Sequence, residues 1–203
     1  MPLLQLCNIA KSFGTHSVLS GVGLSVDSGQ IVGLLGGNGS GKTTLLRIAT
    51  RIIEPDAGEV LFCGHPLTLA DLRRVGYLPE ERGLYRHAAA GPQAAYLARL
   101  KGLGKAEAEQ AVRGWFERLG IAHCWRTPVA RLSKGMQQKV QFIATVAHSP
   151  ALLVLDEPFS GFDAANADLL AAAIAGLAEG GTAVLLSTHH PRAIALCHKT
   201  LAL

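Results

Sequence analysis

Short apolar runs separated by turn residues dominate the first third and the last quarter of the chain, and a helical period takes over between them. Leu3 to Ile9 roughly alternates and predicts a strand, followed by a turn at Lys11-Ser12-Phe13-Gly14. Val18 to Val26 predicts a second strand, and Asp27-Ser28-Gly29 turns into a third, Gln30 to Leu35. Thr43 to Ala49 has the apolar face of a helix. Asp56-Ala57-Gly58 leads into a strand over Glu59–Cys63, and Val75–Leu78 predicts a buried strand ending at Pro79. A small antiparallel sheet near the start follows from this spacing.

From Pro92 to about Gly120 the pattern is helical. Leu97, Leu100, Ala111, Trp115 and Leu119 mark apolar stripes, Gly102-Leu103-Gly104 interrupts them, and Trp115 and Trp125 are expected in the core of this insert. Lys134 to His148 predicts a further helix. Ala151 to Leu155 is wholly apolar, as a central parallel strand requires, and ends at Asp156-Glu157. A helix over 164–179, a strand over Thr182–Leu186, a short helix from Pro191 and a last strand at Thr200–Leu203 complete the pattern. Alternating strands and helices predict an α/β chain with a mostly parallel sheet, so sites belong at the strands' carboxyl ends. No internal repeat or low-complexity linker interrupts it.

The stretch Gly36-Gly37-Asn38-Gly39-Ser40-Gly41-Lys42-Thr43-Thr44 lies between a predicted strand and a predicted helix. It fits the phosphate-binding pattern G-x-x-x-x-G-K-[ST], whose glycines let several backbone N–H groups converge on one anion. The helix N-terminus adds a favourable dipole. Lys42 supplies a point charge for phosphate, and the Thr43 hydroxyl can ligand Mg²⁺. Asp156, at a buried strand's end, is placed to hold Mg²⁺, and adjacent Glu157 to orient and deprotonate a water molecule. Each motif has a bland counterpart, a glycine-rich turn and a surface acidic pair; their order and context favour nucleotide chemistry.

Composition narrows the setting. At 203 residues with half of them apolar, one compact domain is expected. The four cysteines are far apart and form no C-x-x-C pair, which suits a reducing compartment and no zinc site. No signal peptide and no membrane-spanning run is read in the chain. The net charge of +4 is uneven: residues 71–139 hold 13 basic against 6 acidic residues, the rest 6 against 9. That basic middle could face lipid headgroups, an acidic partner, nucleic acid or only solvent. His16, His65, His87, His123, His148, His190 and His198 show no metal spacing and are expected on surfaces or loops.

With these motifs in place, the chain resembles the ATP-binding subunit of ATP-binding-cassette (ABC) transporters over nearly its whole length. Gly36 to Thr44 resembles Walker A, and Leu152 to Glu157 Walker B. Leu132-Ser133-Lys134-Gly135-Met136 resembles the family signature, Phe159-Ser160-Gly161-Phe162-Asp163 the D-loop, and His189 the switch histidine. The resemblance implies the ABC ATPase fold: a core with its β subdomain over about 1–83 and 149–203, and an inserted helical subdomain over about 84–148. It also implies Phe13 stacking on adenine, Glu157 and His189 as catalytic residues, and Mg²⁺ held by Thr43 and Asp156, with Glu80 as a further ligand. Ser133 and Gly135 would reach ATP held by a second copy, in a head-to-tail and expectedly homodimeric pair. The implied function is ATP hydrolysis powering transport through a separate integral-membrane permease, on the cytoplasmic side of the membrane. The alternative is a non-transport cassette acting on nucleic acid or ribosomes; those relatives usually carry two cassettes or a long coiled coil, so no nucleic acid is expected.

Some positions depart from the family pattern. Lys134 and Met136 replace a glycine and a glutamine, Gly37 a common proline, Phe162 a leucine, and Glu80 the usual glutamine. A carboxylate at position 80 can ligand Mg²⁺ but is repelled by a γ-phosphate. The stretch from Leu78 through Glu80-Glu81-Arg82 to Tyr85, together with Lys-Gly-Met in the signature, is similar to a bacterial export-type branch. The chain's size is similar to that of haem-exporter cassettes, though the residues around Glu80 fit that group less well.

Overall fold

The computed structural model describes residues 2–81 and 83–203; Arg82, part of the export-type stretch, lies outside them. Nine strands and six α-helices are described: β1 (Leu4–Phe13), β2 (His16–Val26), β3 (Ile31–Leu35), α1 (Lys42–Ala49), β4 (Ala57–Phe62), β5 (His65–Pro66), β6 (Val75–Leu78), α2 (Ala90–Leu100), α3 (Lys105–Arg118), α4 (Lys134–Val146), β7 (Leu152–Asp156), α5 (Ala164–Glu179), β8 (Ala183–Ser187), α6 (Pro191–Leu196) and β9 (Lys199–Ala202). The strands form a four-stranded antiparallel sheet in the order β2-β1-β4-β5 and a five-stranded parallel sheet in the order β6-β7-β8-β3-β9.

Alternation along the parallel strands divides the core in two. Val32, Leu34, Leu152, Val154, Ala183 and Leu185 face α1 and the antiparallel sheet. Ile31, Leu153, Leu155, Val184 and Leu186 face the layer built by α2 to α5. Both faces are therefore covered, which explains why β7 and β8 are buried at every position.

Several elements differ from the sequence reading. β1 does not stop before Lys11 but runs through Phe13, and the turn shrinks to Gly14-Thr15, with Phe13 paired to His16. A bulge explains the imperfect alternation: Asn8 has φ 53 and the register shifts between Leu6 and Ile9, so Leu4, Leu6 and Ile9 are all buried. The buried stripe of α2 is Ala90, Ala94 and Ala98; Leu100 is 61% exposed. Small side chains let α2 approach its neighbours closely. Trp115 and Trp125 border the core rather than fill it, each with an arginine over its outer face, Arg118 at 4.5 Å and Arg113 at 3.9 Å. Gly91 permits this placement, because a Cβ there would lie 2.3 Å from the Trp125 ring.

The middle of the chain also buries basic side chains. Lys139 lies inside α4's packed face, and its Nζ donates to the Leu119 carbonyl just beyond α3 (2.8 Å). Burial lowers its pKa, partly offset by the Asp163 charge. His148 is not a surface residue: burial, and then the Lys101 charge, push its pKa down from 6.5 to about 4. The unfolded chain therefore binds a proton that the folded chain refuses. This contribution to stability is present above pH 6.5 and is lost as pH falls toward 4, by about 1–3 kcal/mol after allowing for partial exposure. Urea unfolding at pH 7 and pH 4.5 should show a smaller loss for His148→Leu than for the parent chain.

Candidate functional site

Four segments reach one edge of the parallel sheet. The loop after β3 becomes the phosphate loop, β7 ends at Asp156, β8 at Ser187, and the segment after β6 carries Glu80. Together they line a cleft of about 630 Å³ with Phe13, Asn38, Gly39, Gly41, Lys42, Thr43, Thr44, Glu80, Asp156, Glu157 and His189 on its walls. Gly36, Gly37 and Ser40 shape the loop without lining the cleft. Gly41 caps α1 with φ 98, and a Cβ there would lie 2.8 Å from the Leu19 side chain. No side chain caps α1 and no acidic residue lies in its first turn, so its N-terminal amides remain open to an anion. Lys42 folds over the loop, its Nζ donating to the carbonyls of Gly36 (2.8 Å) and Gly37 (2.9 Å).

The acidic wall is tied across two strands. Asp156 is 1% exposed. Its Oδ1 accepts from the Ser187 hydroxyl (2.6 Å), and Ser187 Oγ accepts from the Glu157 backbone N–H (3.0 Å). Asp156 Oδ2 is buried with no partner among the described residues. An orphaned carboxylate oxygen is costly unless something binds it. Facing a cleft that also holds the Thr43 hydroxyl, this donor set fits a hard divalent cation such as Mg²⁺. Glu157 has φ 46, an uncommon conformation for a residue with a Cβ, and its Oε2 lies 3.1 Å from His189 Nδ1. The Glu157 side chain is largely covered, whereas that of His189 is 80% exposed.

Ser187 was not singled out from sequence, although a serine closing an apolar strand beside an Asp-Glu pair was the available signal. Ser187→Ala removes a buried hydrogen bond to a carboxylate. It should lower stability by about 1–3 kcal/mol, read from thermal unfolding. His16 and Val18 were missed as cleft residues too; they enter through the β1–β2 hairpin. His190 is no loop bystander: it stacks on Phe159 (5.4 Å, 19°), and its Nδ1 accepts from the Arg192 N–H at the start of α6.

Ser133 and Gly135 lie elsewhere. Ser133 caps α4, its Oγ accepting from the Met136 N–H (3.2 Å), and is exposed. The Phe162 ring lies over Gly135, 3.6 Å from where a Cβ would sit. Neither residue lines the cleft of its own chain.

A glycine-rich loop between a parallel strand and a helix, with carboxylates at a neighbouring strand end, defines a P-loop nucleotide-binding domain. Comparison with known proteins narrows the class. The ABC transporter family model matches residues 19–160, and the chain belongs to that family; a model for an AAA domain matches only 126–195. The Bacillus subtilis protein YhaQ, named an uncharacterized ABC transporter ATP-binding protein, is 42% identical over 92% of this chain and 63% of its own length. The chain thus spans less than two thirds of that relative. LptB of Escherichia coli, the lipopolysaccharide export system ATP-binding protein, is 31% identical over 98% of this chain and 86% of its own length. A solved ATP-binding subunit of an ABC transporter superposes with a TM-score of 0.90 at 29% identity, covering 99% of this chain and 85% of that one. Among the described residues no helix is long and apolar enough to cross a membrane.

Proposed function

We propose that this chain hydrolyses ATP in a head-to-tail pair of copies and powers transport, in the export direction, through a separate membrane permease. One observation carries the pairing. The phosphate loop and the acidic wall share one cleft, while Ser133 and Gly135 lie at a second helix N-terminus outside it. In the family pattern the signature and phosphate loop act on the same triphosphate, so a second copy must supply one of them.

In this reading the α1 amides and Lys42 hold the phosphates, Phe13 stacks on adenine, and Thr43 and Asp156 hold Mg²⁺. Glu80 stands as a further ligand in place of the usual amide. The bound cation would neutralise charge on the phosphate oxygens. Glu157 takes a proton from water as the water oxygen bonds to the γ-phosphorus and the bond to ADP breaks, giving ADP and phosphate. His189, whose Nδ1 lies 3.1 Å from the Glu157 carboxylate, orients that carboxylate and meets the γ-phosphate. Ser187 holds the Glu157 backbone and Asp156 in register, so the metal-ligand and base positions are fixed together.

We assign the helical subdomain to about 84–148 and the permease contact to the groove between it and the core. That groove, of about 270 Å³, is lined by Pro79, Leu84, Leu97 and Leu100 together with Tyr77, Lys101, Gln141, Thr145 and His148. A mixed apolar and polar lining suits a short helix from a membrane partner, and in this reading the chain sits peripherally on the cytoplasmic face. The export direction is supported by the LptB likeness. Purified protein with ATP and Mg²⁺ should release phosphate at a rate rising more steeply than linearly with protein concentration. Absence of phosphate release, alone and with its permease, would overturn the proposal.

A further inference from the structure

The tip of the β1–β2 hairpin brings two side chains to the cleft, Phe13 and His16. They are cross-strand partners on either side of Gly14-Thr15, where Gly14 has φ 60. Phe13 is 51% exposed, so its ring is presented to the cleft rather than packed away. The pairing of β1 with β4 ends at Ala10–Ala57, leaving Lys11, Ser12 and Phe13 supported by β2 alone. A two-stranded end of this kind frays unless something ties it.

Asp56 is the tie. It sits just before β4 and does not line the cleft. Its Oδ1 accepts from Lys11 Nζ (2.6 Å), its Oδ2 accepts from the Ser12 N–H (2.7 Å), and its own N–H donates to the Ala10 carbonyl (2.9 Å). The Lys11 ammonium lies 5.7 Å from the Phe13 ring centre. Three consecutive residues leading to the aromatic are thus held from one side chain and its backbone. The Lys11 hydrogen bond, and then that from Ser12, hold the Asp56 carboxyl below its usual pKa.

We propose that Asp56 is a positioning residue for base recognition: it fixes the end of β1 so that Phe13 and His16 form a preformed platform for a purine ring. The inference rests on the ATP-binding reading of the cleft. Holding a stacking ring in place before the ligand arrives removes an ordering cost from binding. The effect is confined to the base, because the phosphates are held by a different segment.

Titration calorimetry with ADP and with pyrophosphate, both in Mg²⁺, tests this. Asp56→Ala should weaken ADP about fivefold to tenfold, a fraction of a full base stack, and leave pyrophosphate unchanged. Asp56→Asn, which keeps an acceptor for Ser12 but loses the charge facing Lys11, should fall between. In a Phe13→Ala background, Asp56→Ala should weaken ADP by clearly less than in the parent chain, since only His16 is left of the platform it fixes. Equal losses for ADP and pyrophosphate, additive losses in the double variant, or unchanged ADP affinity would each overturn the inference. If the parent chain bound neither ligand, the nucleotide reading would fail and take this inference with it.

Discussion

Glu157→Gln should keep ATP binding and lose hydrolysis by about a hundredfold or more, the scale of a missing general base. The amide is nearly isosteric and can keep the contact with His189, whose Nδ1 lies 3.1 Å from Glu157 Oε2. The backbone bond from Glu157 to Ser187 is untouched by the change. Geometry should therefore survive while the proton acceptor disappears. ATP would hold two copies together without being consumed, so the variant should elute as a dimer with ATP and as a monomer without it. Calorimetry, phosphate release and light scattering on one preparation read all three quantities. Turnover close to the parent chain's would remove Glu157 from its assigned role.

Gly135→Asp should be as damaging to turnover while leaving nucleotide affinity and stability nearly intact. Gly135 is the second residue of α4, where a carboxylate favours the helix dipole. The added Cβ would meet only the Phe162 ring, at 3.6 Å, an ordinary contact. The fold has room for the change. In the proposed pair, an anion at this helix end would repel a triphosphate offered by another copy, and the cleft around Lys42 lies elsewhere. Nucleotide binding to the single chain should persist, dimer formation with ATP should vanish, and phosphate release should fall about a hundredfold, of the order seen when one preorganised anion contact is lost. A thermal midpoint within a degree or two of the parent would show that the loss is not unfolding.

Much of the architecture was legible because it rests on local patterns. Val75–Leu78 and the apolar run into Asp156 are buried on both sides, and such strands have little else they can be. The phosphate loop was legible because glycine, lysine and threonine at that spacing meet a specific need of backbone amides and charge. What the sequence hid depends on distant partners. Lys11-Ser12-Phe13 reads locally as a polar turn and becomes strand because Asp56, far along the chain, holds it. Leu100 looks like core by its spacing, but the alanine face of α2 packs closer. Ser187 and His190 gain their roles from contacts with Asp156 and Phe159 that exist only after the sheet forms. The proposed role of Ser133 and Gly135 toward a second copy belongs to an interface between chains, which no local pattern encodes.

Complementation between two inactive variants tests that interface most directly. Lys42→Ala disables the phosphate loop, and Gly135→Asp disables the signature; each preparation alone should release almost no phosphate. Mixed, they can form a pair in which the intact loop of one copy faces the intact signature of the other. The head-to-tail arrangement predicts that the mixture recovers ATP hydrolysis well above either preparation. A mixture as inactive as its components, with both variants folded and the Gly135→Asp chain still binding ATP, would contradict it.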